Sequence, residues 1–466
     1  MSGATADLVA ALYAAAETLP ASALDAARGL IQDFVGIALF GSTTAEGRFA
    51  LEVARQLESP GPSGVPGSGM RLAPQAAAFV SGTMGYSIGL GDTHTWSITH
   101  PGASVIPAAL AIGEAVGAGG EQIERAVVLG VELVTRIGAA VSPSHRARGF
   151  HPTATCNPFG VALATGYLLD LPFDKTISAI GIAGSTSGGL YEFRKTGDTL
   201  MALHGGWPAH SGIYAAYLAR AGFTGPATVL EGEEGFFTAF ADNADLTQLD
   251  RDAGDPWRVG ELSMRPYAAC RYAHAALDAL ASLRREHEIS SVDVDRVTIW
   301  THHTAVEQEV EPTTLTAARL CTRFNVAMGI VNGVGLAEVT DADLVDPALQ
   351  HMMSRIEIRE DPALTALFPE KWPCRIDLVL RDGARHIRQV DVPLGDPANP
   401  MTAADLDQKF RTLAGKVLDT SATERLLSRL HDFGRAAADG IWSSAADAST
   451  GNVGAAASHF VSQTNR

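Results

Sequence analysis

From the N-terminus to about Ala241, apolar residues recur at helical spacing in Ala/Leu/Ile/Val-rich segments that clusters of Gly, Pro and Ser interrupt. This pattern predicts an all-helical region. The start, "MSGATADLVAALYAAAETLP", carries Asp7 and Glu17 inside its apolar stretch and has no basic leader, so it reads as an amphipathic first helix and not as a signal peptide. Near Asp255-Pro256 the character begins to change. By "DVDRVTIWTHHTAV" (293–306), alternating β-branched residues predict a strand, on which His302 and His303 would point to opposite faces. "SRIEIRED" predicts a second strand, and "CRIDLVLRDGARHIRQVDVPL" a hairpin turning at Asp382-Gly383. After Pro400 the helical period returns in "AADLDQKFRTLAGKVLD" and "ATERLLSRLHDFGRAAADGIW". The expected fold is mainly α with a smaller α+β domain. Residues 1–255 and 400–466 would form one all-helical domain, with 256–399 inserted as the α+β domain. No fixed-period repeat is present, and "SSAADASTGNVGAAASHFVSQTNR" reads as a mobile tail.

Composition narrows the function classes. With 46% hydrophobic residues in 466, the chain has ample apolar material for a core. Its net charge of −17, from 52 acidic and 35 basic residues without a long basic run, argues against a nucleic-acid partner. No uninterrupted apolar run reaches the ~18 residues a bilayer span needs, so no membrane partner and a cytoplasmic location are expected. Cys156, Cys270, Cys321 and Cys374 lie far apart without a Cys-x-x-Cys pair, which reads as buried thiols, not as a zinc ribbon or disulfide scaffold.

Three segments share a layout of a histidine, then Pro or Gly and small polar residues, then an apolar helix. They are "THPGASVIPAALAIGE" with His100, "FHPTATCNPFGVALATGYLL" with His151 and "LHGGWPAHSGIYAAYLAR" with His204. A helix N-terminus presents unpaired amides and about half a positive charge, and a histidine beside it can move a proton near neutral pH. Such starts would suit carboxylates, although ordinary helix caps use the same residues. A fourth segment, "MRPYAACRYAHAALDALASL", holds Arg265, Cys270, Arg271, Tyr272, His274 and Asp278. His274 and Asp278 are four apart, a spacing at which a carboxylate can orient an imidazole on one helix face. The glycine-rich "GIAGSTSGGL" matches neither a phosphate loop nor a dinucleotide fingerprint and reads as close packing or a turn. No metal is expected, because His94 and His100 are six apart with no HExxH or cysteine cluster nearby.

The blocks "GDTHTWSITHPGASVIPAALAIGE", "GFHPTAT", "GLYEF" followed by "LHGGWPAHSGIYAAYLARAGFTGPATVLEG", "RPYAACRYAHAALDA" and "ADLDQKF" resemble the MmgE/PrpD family. That family includes 2-methylcitrate dehydratase, cis-aconitate decarboxylase and iminodisuccinate epimerase. The resemblance implies a helical domain with a smaller α+β domain, a homodimer, no cofactor, and a small di- or tricarboxylate substrate bound between the domains. Thr93, His100, His151 and His274 fall where lyase members use a threonine and histidines. Two positions depart from the lyase pattern. "IGLGDT" has Gly89 and Gly91 where lyases carry acids, leaving Asp92, and Met201 stands where they carry a lysine.

Epimerisation next to a carboxylate needs only proton removal on one face and return on the other, whereas a lyase must also assist a departing group. The expected activity is therefore cofactor-independent epimerisation of an iminodisuccinate-like dicarboxylate. His151 and His274 would be the proton-transfer pair, Asp92 would orient a base, and Thr93 would complete the catalytic set. His100, His204, Arg265, Arg271 and Tyr272 would bind substrate. The alternatives are a hydro-lyase or decarboxylase on a citrate-like acid with relocated groups, such as His94 or Lys195, and an inactive dicarboxylate binder.

Overall fold

The computed structural model describes residues 3–250, 256–336, 339–435 and 441–442. The junction expected at Asp255 and the tail "SSAADASTGNVGAAASHFVSQTNR" lie outside the described residues. Long helices dominate the first 250 residues: Ala4–Ala16, Ala21–Gly41, Pro74–Tyr86, Gly102–Val116, Gly120–Val141, Pro152–Leu168 and Leu200–Ala221. Small residues let these helices approach closely. A Cβ on Gly205 would sit 2.5 Å from the Gly82 carbonyl oxygen, and one on Gly206 would sit 2.2 Å from Thr83 Oγ1. The two glycines after His204 therefore serve the crossing of helix Leu200–Ala221 on Pro74–Tyr86. They lie inside the helix, which begins four residues before His204, so His204 does not mark a helix start. "GIAGSTSGGL" follows the same logic: a Cβ on Gly181 would meet the Pro226 carbonyl oxygen at 2.6 Å.

The helical core also takes Phe410, Leu426, Leu427 and Leu430 from helices Ala403–Ala414 and Thr420–His431. One fully buried ion pair secures this return of the chain. Lys409 Nζ lies 2.6 Å from Asp33 Oδ1 and donates to the Leu90 carbonyl at 3.2 Å. Burial raises the Asp33 carboxyl and lowers the Lys409 ammonium, each partly offset by its partner.

A two-stranded ribbon pairs β1 (Pro60–Gly64) with β2 (Arg71–Leu72). The larger sheet contains β3 (Val294–Thr301), β4 (Ile356–Glu360), β5 (Cys374–Leu380) and β6 (Arg385–Val390), in the order β4-β3-β5-β6. Only the β3–β4 pair is parallel. Val297, Ile299, Ile376 and Leu378 form one buried face against Ala276, Leu280 and Leu283 of helix Arg271–Glu286. The hairpin turns where expected, with Gly383 at φ +89°, a left-handed conformation glycine adopts without strain. β3, however, ends at Thr301. His302 precedes a short helix, His303–Glu307, so the two histidines do not share a strand. His302 is buried and stacks on Phe368 with centroids 4.1 Å apart, while exposed His303 pairs with Glu307 and Glu360.

Among the described residues no helix is long and apolar enough to cross a membrane. One apolar stripe does face outward: Phe49, Val53 and Leu57 recur every four residues along helix Ala45–Leu57, all exposed.

Candidate active site

The loop Gly89–His100 is held from both sides. Thr93 exchanges backbone hydrogen bonds with Ser263, 2.9 Å from Thr93 N and 2.8 Å from Ser263 N, and so joins the helical region to the segment carrying Arg265. Arg265 then donates to Thr93 Oγ1 from Nε at 3.2 Å and Nη2 at 2.9 Å, and from Nη1 to the Gly89 carbonyl at 2.7 Å. His100 Nδ1 lies 2.7 Å from the Asp92 carbonyl oxygen and 3.2 Å from Thr93 Oγ1. A carbonyl can only accept, so this contact assigns the His100 proton to Nδ1 and leaves Nε2 as the basic nitrogen. Burial, reinforced by Arg265, lowers its pKa to about 3.

The Asp92 carboxylate has another task. Its Oδ2 accepts from Gly102 N at 3.0 Å and thereby caps helix Gly102–Val116. The backbone of Asp92, not its side chain, orients the His100 imidazole. The helix start beside His100 is filled by the chain's own acid, so it is not the open anion site the sequence suggests. Burial raises the Asp92 carboxyl to about 6 against the lowering effect of the Gly102 amide.

His151, at the N-cap of helix Pro152–Leu168, and His204 approach through their Nδ1 atoms at 2.8 Å. Only one proton fits between those nitrogens, so protonating both rings would break the contact. Burial is the main cause that holds His151 well below its ordinary pKa and lowers His204 to about 4. Tyr86 ties the group together, with ring centroids 5.3 Å from His100 and 6.3 Å from His151. The helix Pro152–Leu168 braces the His100 turn: Thr153 Oγ1 accepts from His100 N at 3.2 Å, and Asn157 Nδ2 donates to the His100 carbonyl at 3.0 Å.

These groups border a cavity of about 90 Å³. His100, His151 and Tyr86 form one part of its lining, and the guanidinium-bearing residues Arg194, Arg265 and Arg319 another. Ile88, Phe193, Met201 and Leu320 supply an apolar part. Met201, where the lyase pattern has lysine, thus presents a thioether to the chamber. Arg194 donates to the Gln308 carbonyl at 3.2 Å and Arg319 to the Ser87 carbonyl at 3.1 Å, so both are anchored across the chamber's edges.

Several expected site residues stand elsewhere. His204 lies behind His151 and does not line the chamber. His274 is also absent from the lining, fully buried behind Ala269, to whose carbonyl its Nε2 donates at 3.0 Å. Its Nδ1 has no hydrogen-bond partner among the described residues. Asp278 does not orient it; that carboxylate accepts from Tyr267 Oη at 2.6 Å and from Leu394 N at 2.6 Å. Arg271 pairs with Asp396 and lies over Trp372 instead of lining the chamber, and Tyr272 stacks on Trp372 at 5.2 Å. The relocated-group candidates are occupied too. His94 bonds Ser97 and Glu261, and exposed Lys195 pairs with Glu192. Cys270 is half-buried and lines the chamber; the other three thiols are buried.

Sequence reasoning missed Tyr86, Thr316 and Arg319 as chamber residues, and Lys409 with Asp33 beneath the loop. None sits in a recognisable local pattern except Lys409, which falls in the quoted "ADLDQKF" block. Among the described residues, no three His, Cys, Asp or Glu side chains gather closely enough to hold a metal ion.

Comparison with known proteins agrees with this architecture. Cis-aconitate decarboxylase of Aspergillus terreus is 26% identical over 455 residues, covering 90% of this chain and 92% of that protein. Cis-aconitate decarboxylase of Homo sapiens is 28% identical over 413 residues, covering 85% of each chain. A cis-aconitate decarboxylase-like protein of Aspergillus oryzae is 26% identical over 436 residues, covering 88% of this chain and 89% of that one. The MmgE/PrpD N-terminal domain matches residues 4–249 and the MmgE/PrpD C-terminal domain matches 267–431. With its helical half and its sheet-bearing half both matched, the chain belongs to the MmgE/PrpD family.

Proposed function

We propose that the chain is a lyase acting on a small, citrate-like di- or tricarboxylate, in which a carboxyl group leaves and a proton takes its place. The observation that carries this reading is the chamber itself: imidazoles kept neutral by burial, guanidinium groups and an apolar patch around about 90 Å³. The volume suits a few-carbon acid. Arg265, Arg194 and Arg319 would hold the carboxylates that stay, since guanidinium matches a carboxylate in charge and geometry. The carboxylate to be lost would face Met201, Phe193 and Leu320. Poor solvation there disfavours the anion relative to neutral carbon dioxide, a form of catalysis by desolvation. The electron pair left on carbon would take a proton from the imidazole wall, where the anionic substrate raises the histidine pKa values from their depressed state.

The names of the relatives support the same chemistry, and the glycine and methionine substitutions do not oppose it. They remove a lysine and acids while leaving the arginines and histidines in place. Epimerisation by His151 and His274 has less support, because His274 does not line the chamber that His151 faces. The exposed stripe Phe49, Val53 and Leu57 supports a homodimer as part of this reading.

The test is incubation with cis-aconitate and other citrate-like acids while carbon dioxide release is followed. Release with one solvent proton gained per product supports the lyase. Hydrogen exchange with deuterium oxide and no carbon dioxide would replace it with an epimerase, and thermal stabilisation by these acids without turnover would leave a binding protein.

A further inference from the structure

His100 lines two cavities. The second, about 660 Å³, includes Thr93 in its wall and is bordered by Trp96 and Ile98 on one side and Tyr272, Phe368 and Trp372 on the other. The aromatic rings brace one another, with Tyr272 and Trp372 stacked at 5.2 Å and Phe368 set edge-on to Trp372 at 5.3 Å.

We infer that this cavity is a substrate annex, taking an aryl-sized apolar substituent carried by the same acid whose carboxylates occupy the inner chamber. The inference rests on the carboxylate reading above. Two observations support it. The shared wall is His100, whose Nδ1 is held by Asp92 and Thr93, so a ligand spanning both spaces passes the imidazole assigned to proton transfer. The inner cavity is too small for a bulky substituent, whereas the outer one is several times larger and walled by rings. The favoured substrate is then a substituted acid, and the bare acid binds with the annex empty.

The test compares succinate with 2-benzylsuccinate by isothermal titration calorimetry on the full chain. Burial of a phenyl-sized group corresponds to roughly 10- to 100-fold tighter binding of the benzyl compound. Trp96→Ala, at an exposed position where folding is not at risk, and Phe368→Ala should each shrink that ratio at least about threefold while leaving succinate affinity unchanged. Equal affinities in the unsubstituted protein, or a ratio unaltered in both variants, would overturn the annex alone. Failure of both acids to bind at millimolar concentration would overturn the annex together with the carboxylate reading.

Discussion

The imidazole side and the arginine side of the chamber solve opposite electrostatic problems. His151 is fully enclosed and His100 half-buried, and loss of solvation holds both neutral. Arg194, Arg265 and Arg319 are only half-buried, and Arg194 and Arg265 are held by carbonyl or hydroxyl acceptors, which steady a guanidinium without cancelling its charge. On the proposed reading one wall would bind anions before chemistry, and the other would become competent when an anion arrives. The contrast implies that proton transfer and substrate binding can be damaged separately.

The largest effect should come from the imidazole wall. His151→Gln is expected to lower kcat by roughly 10²- to 10⁴-fold while circular dichroism and Tm change little, as measured by steady-state kinetics beside thermal melts. Near-native turnover would remove His151 from the mechanism. His274→Gln separates the wall from its support. Because His274 bonds Ala269 from behind the chamber, its loss should cost much less in kcat than the loss of His151, and equal losses would restore it as a partner in catalysis.

The buried ion pair beneath the loop comes next. Lys409→Met leaves Asp33 uncompensated and should destabilise the fold by about 3–5 kcal/mol, read by denaturant titration. Adding Asp33→Asn should recover much of that loss, and a double variant no better than the single would show that the pair is not coupled.

Arg265→Met probes the opposite wall. It removes three hydrogen bonds, two to Thr93 Oγ1 and one to the Gly89 carbonyl, and one substrate cation. Loss of one charged hydrogen bond to substrate, about 1.5–3 kcal/mol, corresponds to roughly a 10- to 150-fold rise in KM. A fall in kcat with unchanged KM would instead place Arg265 in the chemical step.

The smallest effect is on pH dependence. His100 near 3 and His204 near 4 lie below the ordinary histidine value of 6.5, so between pH 4 and 6.5 the unfolded chain binds more protons at these sites. Their stabilising contribution is present above pH 6.5 and is lost as pH falls. Asp92, raised to about 6, acts in the opposite sense between its ordinary 3.8 and 6, because the folded state holds that proton more tightly. Two histidines outweigh one carboxyl, so Tm should drop by several degrees from pH 7 to pH 5 without ligand, and a tricarboxylate should protect more strongly at pH 5. A flat Tm across that range would contradict burial as the cause of the neutral imidazoles.

Local patterns in the sequence carried much of the fold. The hairpin at Asp382-Gly383, the strand in "SRIEIRED" and the first helix follow from alternation, turn chemistry and helical period. The candidate site was legible as blocks but not as contacts. The sequence segment "LHGGWPAHSG" looks like a helix start, yet Gly205 and Gly206 are there for a helix crossing whose other half, Gly82 and Thr83, is more than a hundred residues away. Asp92 reads in the sequence as the group that orients a base because nothing local reveals that Gly102 N claims its carboxylate. Arg319 and the Asp33–Lys409 pair were invisible for the same reason: their partners are set by tertiary packing and not by spacing.

The central claim, that an imidazole wall held neutral by burial while empty takes up a proton when the anionic substrate raises its pKa and passes it to the carbon that loses carbon dioxide, is tested most directly in deuterium oxide. Proton NMR of cis-aconitate and related citrate-like acids, with the unsubstituted chain and with His151→Gln, would follow both carbon dioxide loss and isotope incorporation. The account predicts one deuterium per decarboxylated product with the unsubstituted chain and almost no product with the variant. Decarboxylation that proceeds undiminished in His151→Gln, or product that carries no solvent deuterium, would contradict it.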